Sequence, residues 1–168
     1  MITRTPVARA VASVVLAAAL LVGTAGCTFI SRQATLIQYD PGSGVGANIG
    51  DVQVRNAIGI INEDSSAISL LITLVNSGTD DVSVSLQFES DGEKRTDTKA
   101  VTSGAAASFG NVVGQEQIII VNPGVEAGDL VPVYVQYGSF PGKELLVPVL
   151  GAAGAYQDLG PQDPGPQP

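Results

Sequence analysis

The stretch DVSVSLQFES, residues 81–90, places apolar and polar side chains at alternate positions over the length of a strand. The apolar phase holds Val82, Val84, Leu86 and Phe88, and serine, glutamine and glutamate occupy the other phase. A repeat of two residues is the period of a β-strand with one buried and one solvated face. The stretch therefore predicts a half-buried antiparallel strand and sets the fold class as all-β.

Further strands are predicted on both sides of this stretch. ISLLITLVN, residues 68–76, is apolar at every second position, and Leu71 and Val75 partly cover its other face, which favours a central strand. In DVQVRNAIGII, residues 51–61, one phase carries Val52, Val54, Ile58 and Ile60, and we place a β-bulge at Gly59. Shorter candidate strands are ATLIQY, KRTDTKAV, QIIIV, LVPVYVQY and ELLVPVL.

Turn sequences separate the predicted strands. Proline followed by glycine, which supplies a φ near −65° and then a positive φ, occurs in Asp40-Pro41-Gly42, Asn122-Pro123-Gly124 and Phe140-Pro141-Gly142. Ser90-Asp91-Gly92-Glu93 has the Asp-Gly pair of a tight hairpin. Short strands at this spacing predict an Ig-like antiparallel β-sandwich of seven to eight strands over residues 34–150.

Two prolines lie inside the last two predicted strands, in matching VPV triplets. Pro132 and Pro148 cannot donate a hydrogen bond to a neighbouring strand, so we expect them at strand starts or on an outer edge. The last strand then fits the edge of a sheet, where proline discourages the addition of another strand. The alternative is that the two triplets form a docking ledge for a partner.

The N-terminal segment has the three zones of a secretory signal peptide. Arg4 and Arg9 supply positive charge, residues 10–22 form a weakly hydrophobic stretch, and four small residues precede Cys27. Ala25-Gly26-Cys27 resembles the lipobox of bacterial lipoproteins, in which the cysteine receives lipid after cleavage. We therefore predict a signal peptide at 1–26 and anchoring through Cys27 to the outer face of the cytoplasmic membrane. Ordinary secretion, with cleavage after Ala25, is the alternative.

Three regions follow the cleavage site in this interpretation. Residues 27–33 form a lipidated tether, residues 34–150 form the β-sandwich, and residues 151–168 form a tail rich in glycine, proline and glutamine. The tail sequence GAAGAYQDLGPQDPGPQP offers little apolar surface to offset the entropy of ordering it, which predicts disorder.

Composition excludes several classes of function. The chain has 16 acidic and 8 basic residues and no histidine. Phosphate backbones repel an acidic surface, so nucleic acid is not an expected partner. Without histidine, Ser-His-Asp and Cys-His catalytic groups and Cys/His zinc sites cannot form. We predict no cofactor and no soft metal ion for this chain.

One glycine-rich motif invites a different interpretation. Asp40, Gly42, Gly44 and Gly46 in DPGSGVG match the D-x-G-x-G-x-G pattern, which resembles the cofactor loop of S-adenosylmethionine methyltransferases. That loop requires a helix after it, within an α/β sheet. Here a predicted strand follows, so we interpret the motif as a flexible turn built on Pro41-Gly42.

Carboxylates form the other candidate sites. Asp80, Asp81, Asp91 and Glu93 are weak calcium candidates because Ca²⁺ prefers oxygen ligands, although the spacing of an EF-hand loop is absent. Two carboxylates also suffice for a glycosidase, but the mature chain has no tryptophan for stacking against a sugar. The alternative for all four is a solvated loop. Neighbouring charges predict salt-bridged surface positions for Lys94, Lys99 and Lys143.

The anchor Cys27, YDPGSGVG at 39–46, GDVQVRN at 50–56 and LVNSG at 74–78 together resemble small actinobacterial envelope lipoproteins of unknown function. The strand order and the V-R-N strand are also similar to the extracytoplasmic copper-chaperone sandwich. That family binds Cu(I) through methionine and histidine, and this chain has no histidine and only Met1. The resemblance implies the fold without the copper function.

Two functions are compatible with these observations. The first is a non-catalytic binding or scaffolding module in the cell envelope, held to the membrane by its lipid and working with an envelope protein partner. The second is an exported hydrolase that depends on carboxylates. Convergence of the four candidate carboxylates in a cleft favours the hydrolase, and their dispersal over hairpin tips favours the module.

Overall fold

A computed structural model describes residues 6–30 and 42–162 and divides the chain into two compact units, residues 1–39 and 40–168. The first unit contains one helix, α1 (Pro6–Ile30), in which the side chains of residues 6–19 are exposed. No helix within the described residues is both long and apolar enough to cross a membrane. The predicted strand ATLIQY lies outside the described residues.

The second unit is built from strands. Its described part contains nine strands and one short 3-10 helix at Gly154–Tyr156. The strands are β1 (Val45–Ile49), β2 (Val52–Ile61), β3 (Ala67–Asn76), β4 (Val82–Ser90), β5 (Glu93–Val101), β6 (Ala106–Phe109), β7 (Ile118–Val121), β8 (Leu130–Tyr137) and β9 (Lys143–Gly151). Seven of them match predicted strands, whereas β1 and β6 were not predicted. The stretch that decided the fold class is β4.

The strands form two packed layers, which confirms the predicted β-sandwich. Sheet I contains β1, β2, β3, β6 and β7, and sheet II contains β5, β4, β8 and β9 in that order. The layers join through β9, which pairs antiparallel with β8 and parallel with β2. Over residues 42–162 the sandwich thus has nine strands instead of seven or eight, and one of its strand pairs is parallel.

The core lies between the two sheets and consists of side chains from alternate strand positions. All of its largest members are fully or almost fully buried. They include Ile68, Leu70, Ile72 and Leu74 of β3, Val84, Leu86 and Phe88 of β4, and Val131, Val133 and Val135 of β8. This is the burial that the two-residue period predicts.

The prediction that the last strand forms a sheet edge is wrong, because β9 lies between β8 and β2. The amide of Val149 donates to the carbonyl of Asp129 on the β8 side. Hydrogen-bonding directions alternate along a strand, so the nitrogen of Pro148 points to the opposite side. Pairing with β2 starts only at Val149, so the missing N–H of Pro148 interrupts no ladder.

Strand β2 contains a bulge, and its position differs from the predicted one. The register with β3 shifts between Arg55 and Ile58, and Asn56 has a φ of 50°. The extra residue reverses the alternation, as β-bulges do. Val52 and Val54 face the inner core, whereas Ile58 and Ile60 face outward. The predictions of a bulge at Gly59 and of one shared face for these four residues are therefore wrong.

The outward isoleucines explain a second difference from the sequence analysis. Ile58, Ile60 and Leu71 form a separate buried cluster on the outer face of sheet I. Partly buried residues from the end of β9 and from the chain beyond it pack against this cluster, namely Leu150, Ala152, Tyr156 and Leu159. Residues 151–162, which we assigned to a disordered tail, thus have defined contacts. Residues 163–168 lie outside the described part.

Candidate functional site

The outer face of sheet II is divided into a polar half and an apolar half. On β4 and β5 the outward side chains include Ser83, Ser85, Gln87, Thr96 and Thr98, as expected for a solvated sheet. On β8 and β9 the exposed polar residues Gln136 and Glu144 share the outer face with five apolar or aromatic residues, Leu130, Pro132, Tyr134, Leu146 and Pro148. We call these five residues the β8–β9 face. The polar half shows the residue composition that is expected where this sheet contacts only solvent.

Strand register makes the β8–β9 face one continuous patch. Leu130 is opposite Pro148, and Pro132 is opposite Leu146. Side chains directly opposite in an antiparallel pair lie about 5 Å apart, so these four residues touch as a block. Leu130 and Leu146 are 51% and 52% exposed, and Tyr134 extends the patch at 37% exposed. These exposed side chains make the β8–β9 face the candidate interaction surface of the described residues.

The geometry of the patch is fixed by its neighbours. The ring of Tyr134 lies over Gly142, where an added Cβ would come within 2.5 Å of the ring atoms. Glycine at 142 is therefore what allows the ring to lie flat at this place. Pro132 and Pro148 each have a fixed φ, which removes further freedom from the backbone. These two prolines belong to the patch, and the docking ledge considered from sequence stays a prediction.

The structure separates the four candidate carboxylates into two pairs. Asp80 and Asp81 precede β4, and Asp91 and Glu93 follow it, so a strand about 30 Å long lies between the pairs. The carboxylate of Asp81 accepts a hydrogen bond of 2.8 Å from the amide of Ser103. That of Asp91 accepts one of 2.9 Å from the side chain of Asn122. Each has a local structural role at its own end of the sandwich.

Metal-ligating side chains also stay apart elsewhere in the described part of the chain. No group of three or more cysteine, aspartate or glutamate side chains comes together there. The four candidate carboxylates lie at opposite ends of β4 and therefore do not converge in one cleft. For the weak calcium candidates, the structure offers at most two carboxylates at either end of β4.

A small pocket at one end of the sandwich escaped the sequence analysis. It has a volume of about 180 Å³, and its lining includes Asp51, Asp80 and Phe140. The amide of Asp51 donates a 2.7 Å hydrogen bond to the hydroxyl of Tyr137, whose ring stacks on Phe140 at 5.0 Å between centroids. Small-molecule sites usually measure about 300–1,000 Å³, so this pocket is too small for a typical ligand.

The glycine-rich motif has a structural explanation in its described part. An added Cβ at Gly44 would lie 2.7 Å from the backbone carbonyl carbon of Asn56, and one at Gly42 would lie 2.8 Å from the Asn56 side-chain oxygen. The two glycines therefore let the chain pass close to the bulge of β2. The motif leads into β1, a strand, and not into the helix of a cofactor loop. Asp40 and Pro41 lie outside the described residues.

Lys99 is the one lysine of the three that is buried. On the edge strand β5 it is 8% exposed, and its Nζ lies 3.0 Å from Asp97 and 2.5 Å from Glu116. The same atom lies 5.3 Å from the ring centroid of Phe109. Burial lowers the pKa of Lys99, but the hydrogen bonds and charges of Glu116 and Asp97 outweigh burial and raise it above 10.5. Lys99 therefore stays protonated at neutral pH and does not serve as a general base. We call Lys99 with its two carboxylate partners, Asp97 and Glu116, the Lys99 clamp.

Cys27 lies within α1, in the part of the helix whose side chains are not described. Its lipidation stays a prediction. Lys94 and Lys143 are exposed, as expected from sequence.

Comparisons with known proteins give similarity in strand arrangement alone. No family model and no curated protein matches the chain. Among solved structures it is similar to the copper-bound PCuAC domain from PmoF2, with 12% identity and a TM-score of 0.48 over 64% of this chain and 98% of that one. The apo PmoF2 PCuAC domain gives 11% and 0.49 over 64% and 95%. The Amycolatopsis orientalis exo-chitosanase CsxA gives 14% and 0.34, over 60% of this chain and 13% of that one.

Proposed function

We propose that the chain is an exported lipoprotein, anchored through Cys27, whose β-sandwich is a non-catalytic module that binds an envelope protein through the β8–β9 face. The observation that carries this proposal is the contrast between the two halves of sheet II. A sheet face that contacts only solvent is expected to be polar, as the outer face of β4 and β5 is. The leucines, prolines and tyrosine of β8 and β9 require another explanation, and a protein partner supplies it.

The composition of the β8–β9 face suits protein binding. Full burial of one leucine side chain is worth about 1.5–3 kcal/mol, so Leu130 and Leu146 can supply a substantial part of a binding energy. Tyr134 adds an aromatic ring beside them, and aromatic residues are enriched among those that dominate interface energies. Because the prolines and Gly142 hold the patch in one shape, little conformational entropy is lost when a partner covers it.

The sequence of the N-terminal segment supports the anchor. Removal of residues 1–26 takes away two of the eight basic residues and leaves all sixteen acidic ones, which gives the mature chain a charge of −10. Anionic headgroups repel such a chain, so attachment to a membrane needs a lipid. Each buried methylene contributes about 0.8 kcal/mol, and two or more acyl chains hold stably. Cell fractionation of a Cys27→Ser variant tests this part: the variant should leave the membrane pellet, and its retention there contradicts the anchor.

In-cell photocrosslinking tests the binding face. A photoreactive residue placed at Leu146 should give a discrete adduct with an envelope protein. The same residue at Ser85, on the polar half of the same sheet, is the matched control and should give none. Leu130→Glu should abolish the adduct at position 146. Equal labelling at 146 and 85, or an adduct that survives Leu130→Glu, rejects the β8–β9 face as the binding surface.

A further inference from the structure

The chain beyond β9 covers the outer face of sheet I. We call residues 152–162 the C-terminal strap. Tyr156 and Leu159 of the strap pack against the outward cluster of Ile58, Ile60 and Leu71. All three residues of this cluster are at most 3% exposed. The strap thus covers this apolar face in the way that a bound peptide covers an apolar groove.

Hydrogen bonds hold the strap near both of its ends. The amide of Ala152 donates a 3.2 Å hydrogen bond to the carbonyl of Ile61 in β2. The side chain of Gln117 donates a 2.9 Å hydrogen bond to the carbonyl of Gly160, and its oxygen accepts one of 3.0 Å from the amide of Gln162. A Cβ at Gly160 would lie 3.3 Å from that of Ala152, so the strap folds back into a compact loop. Two apolar anchors and one amide that binds the backbone are the means by which a receptor recognises a short peptide.

The face extends beyond the area that the strap fills. A groove of about 340 Å³ continues from Pro161 and Gln162 over Ala67, Ile119 and Val121. In the same face, Ser69 lies between Ile60 and Ile119 in the strand register. Its hydroxyl is fully buried and has no hydrogen-bond partner among the described residues. A buried polar group without a partner costs about 1–3 kcal/mol, and the strap provides no partner that would offset this cost for Ser69.

We propose that the outer face of sheet I is a peptide-binding surface, occupied in this structure by the chain's own strap. The occupant from outside is a peptide segment of another envelope protein with an aromatic residue and a leucine three positions later. Tyr156 and Leu159 display this spacing in the bound state. The attached strap competes as an internal ligand at an effective concentration in the millimolar range, which limits binding to segments of higher affinity. This surface is separate from the β8–β9 face, so either proposal can fail alone.

A labelled synthetic peptide tests the proposal with residues 28–168 as the receptor. The probe is fluorescein-GAAGAYQDLGPQ, the sequence of residues 151–162. The receptor variant Tyr156→Ser/Leu159→Ser keeps the chain length but weakens the internal strap. We expect the probe to bind this variant at least tenfold more tightly than the unchanged receptor. A probe with serine in place of its tyrosine and leucine should bind neither.

Equal binding of the probe to both receptors, or no binding to a variant that retains the β-sheet circular dichroism, overturns the proposal. If the double variant does not fold, the unchanged receptor supplies the measurement. Millimolar unlabelled peptide should speed hydrogen exchange of the Gln162 amide, which is bonded to Gln117, at least threefold. The Gly110 amide, bonded to the carbonyl of Glu116 at 2.9 Å, is the internal control. No change at Gln162 also overturns the proposal.

Discussion

Replacing Lys99 by methionine removes a buried charge and keeps most of the apolar stem. Lys99 bonds two carboxylates, those of Asp97 and Glu116, whose side chains are 31% and 63% exposed. Lys94, exposed on the same strand, provides the matched control, Lys94→Met. Comparing the two variants separates the stability contributed by the Lys99 clamp from the general effect of removing one positive charge from an acidic protein.

The expected loss follows from the contacts. Solvent screens the bond to Glu116, so we assign it about 0.5 kcal/mol, as for a surface ion pair. The bond to the less exposed Asp97 is worth about 1 kcal/mol, and the contact with the Phe109 ring about 0.5 kcal/mol. Burial of the ammonium group opposes these contacts and offsets about 1 kcal/mol of their sum. Lys99→Met should therefore lower the free energy of unfolding by about 1 kcal/mol, which corresponds to a fall in Tm of roughly 3–6 °C for a domain of this size.

The pH dependence of this difference has a definite sign. The folded state raises the pKa of Lys99 above 10.5, so the clamp contributes fully below pH 10.5 and is lost as pH rises through the folded pKa. Urea unfolding of residues 28–168, followed by circular dichroism at pH 7 and above pH 11, measures both effects. Comparison with Lys94→Met at each pH removes the contributions that the two variants share. A loss within 0.5 kcal/mol of that control at pH 7, or a difference that persists at the higher pH, refutes the reasoning.

Three further outcomes are expected. Gly44→Ala should destabilise the domain by about 1–3 kcal/mol in urea unfolding because the added Cβ would clash with the backbone of Asn56. The control Ser43→Ala, at an exposed neighbouring position, should change stability by less than about 0.5 kcal/mol. Equal effects of the two substitutions contradict the close approach of Gly44 to Asn56. The hydrogen bonds from the side chain and amide of Ser66 lower the pKa of Asp64 below 3.8, so its contribution is present above pH 3.8 and lost as pH falls through the folded pKa. The gap in stability between Asp64→Asn and the unchanged chain should thus close under acid, and a gap that widens refutes this assignment. Calorimetric titration of residues 28–168 with Cu(I) or Zn²⁺ should give no saturable submicromolar event because soft and imidazole ligands are absent, and tight binding contradicts the analysis.

The sequence predicted the strands whose period is unbroken and missed the features that depend on a single backbone conformation. In β4 the alternation runs through the whole strand, so its buried residues were identified correctly. In β2 the positive φ of Asn56 reverses the alternation, and no repeat in the sequence marks that position. The burial of Tyr156 and Leu159 depends on this reversal, because it turns Ile58 and Ile60 outward. One local conformation thus accounts for two wrong predictions.

Long-range pairing is the other limit. The position of β9 between β8 and β2 depends on three residues of parallel pairing, and a local pattern contains no information about such a contact. The β8–β9 face, in contrast, left a readable signal. In LVPVYV both phases of the strand are apolar or aromatic, whereas β4 alternates with serine and glutamine. Comparison of these two strands would have identified the exposed apolar half from sequence.

The bonding of β9 on both of its edges has a mechanical consequence. A protein held at its N-terminal side and gripped by a partner at β8 and β9 is under tension whenever the two attachments move apart. The force enters through β1, crosses to β2 and reaches β9 through Val149–Gly151, where the two strands are hydrogen-bonded directly. The two layers are therefore joined by backbone hydrogen bonds at β9 as well as by the apolar interface between them. Under such tension the short parallel pairing would transmit force from one layer to the other.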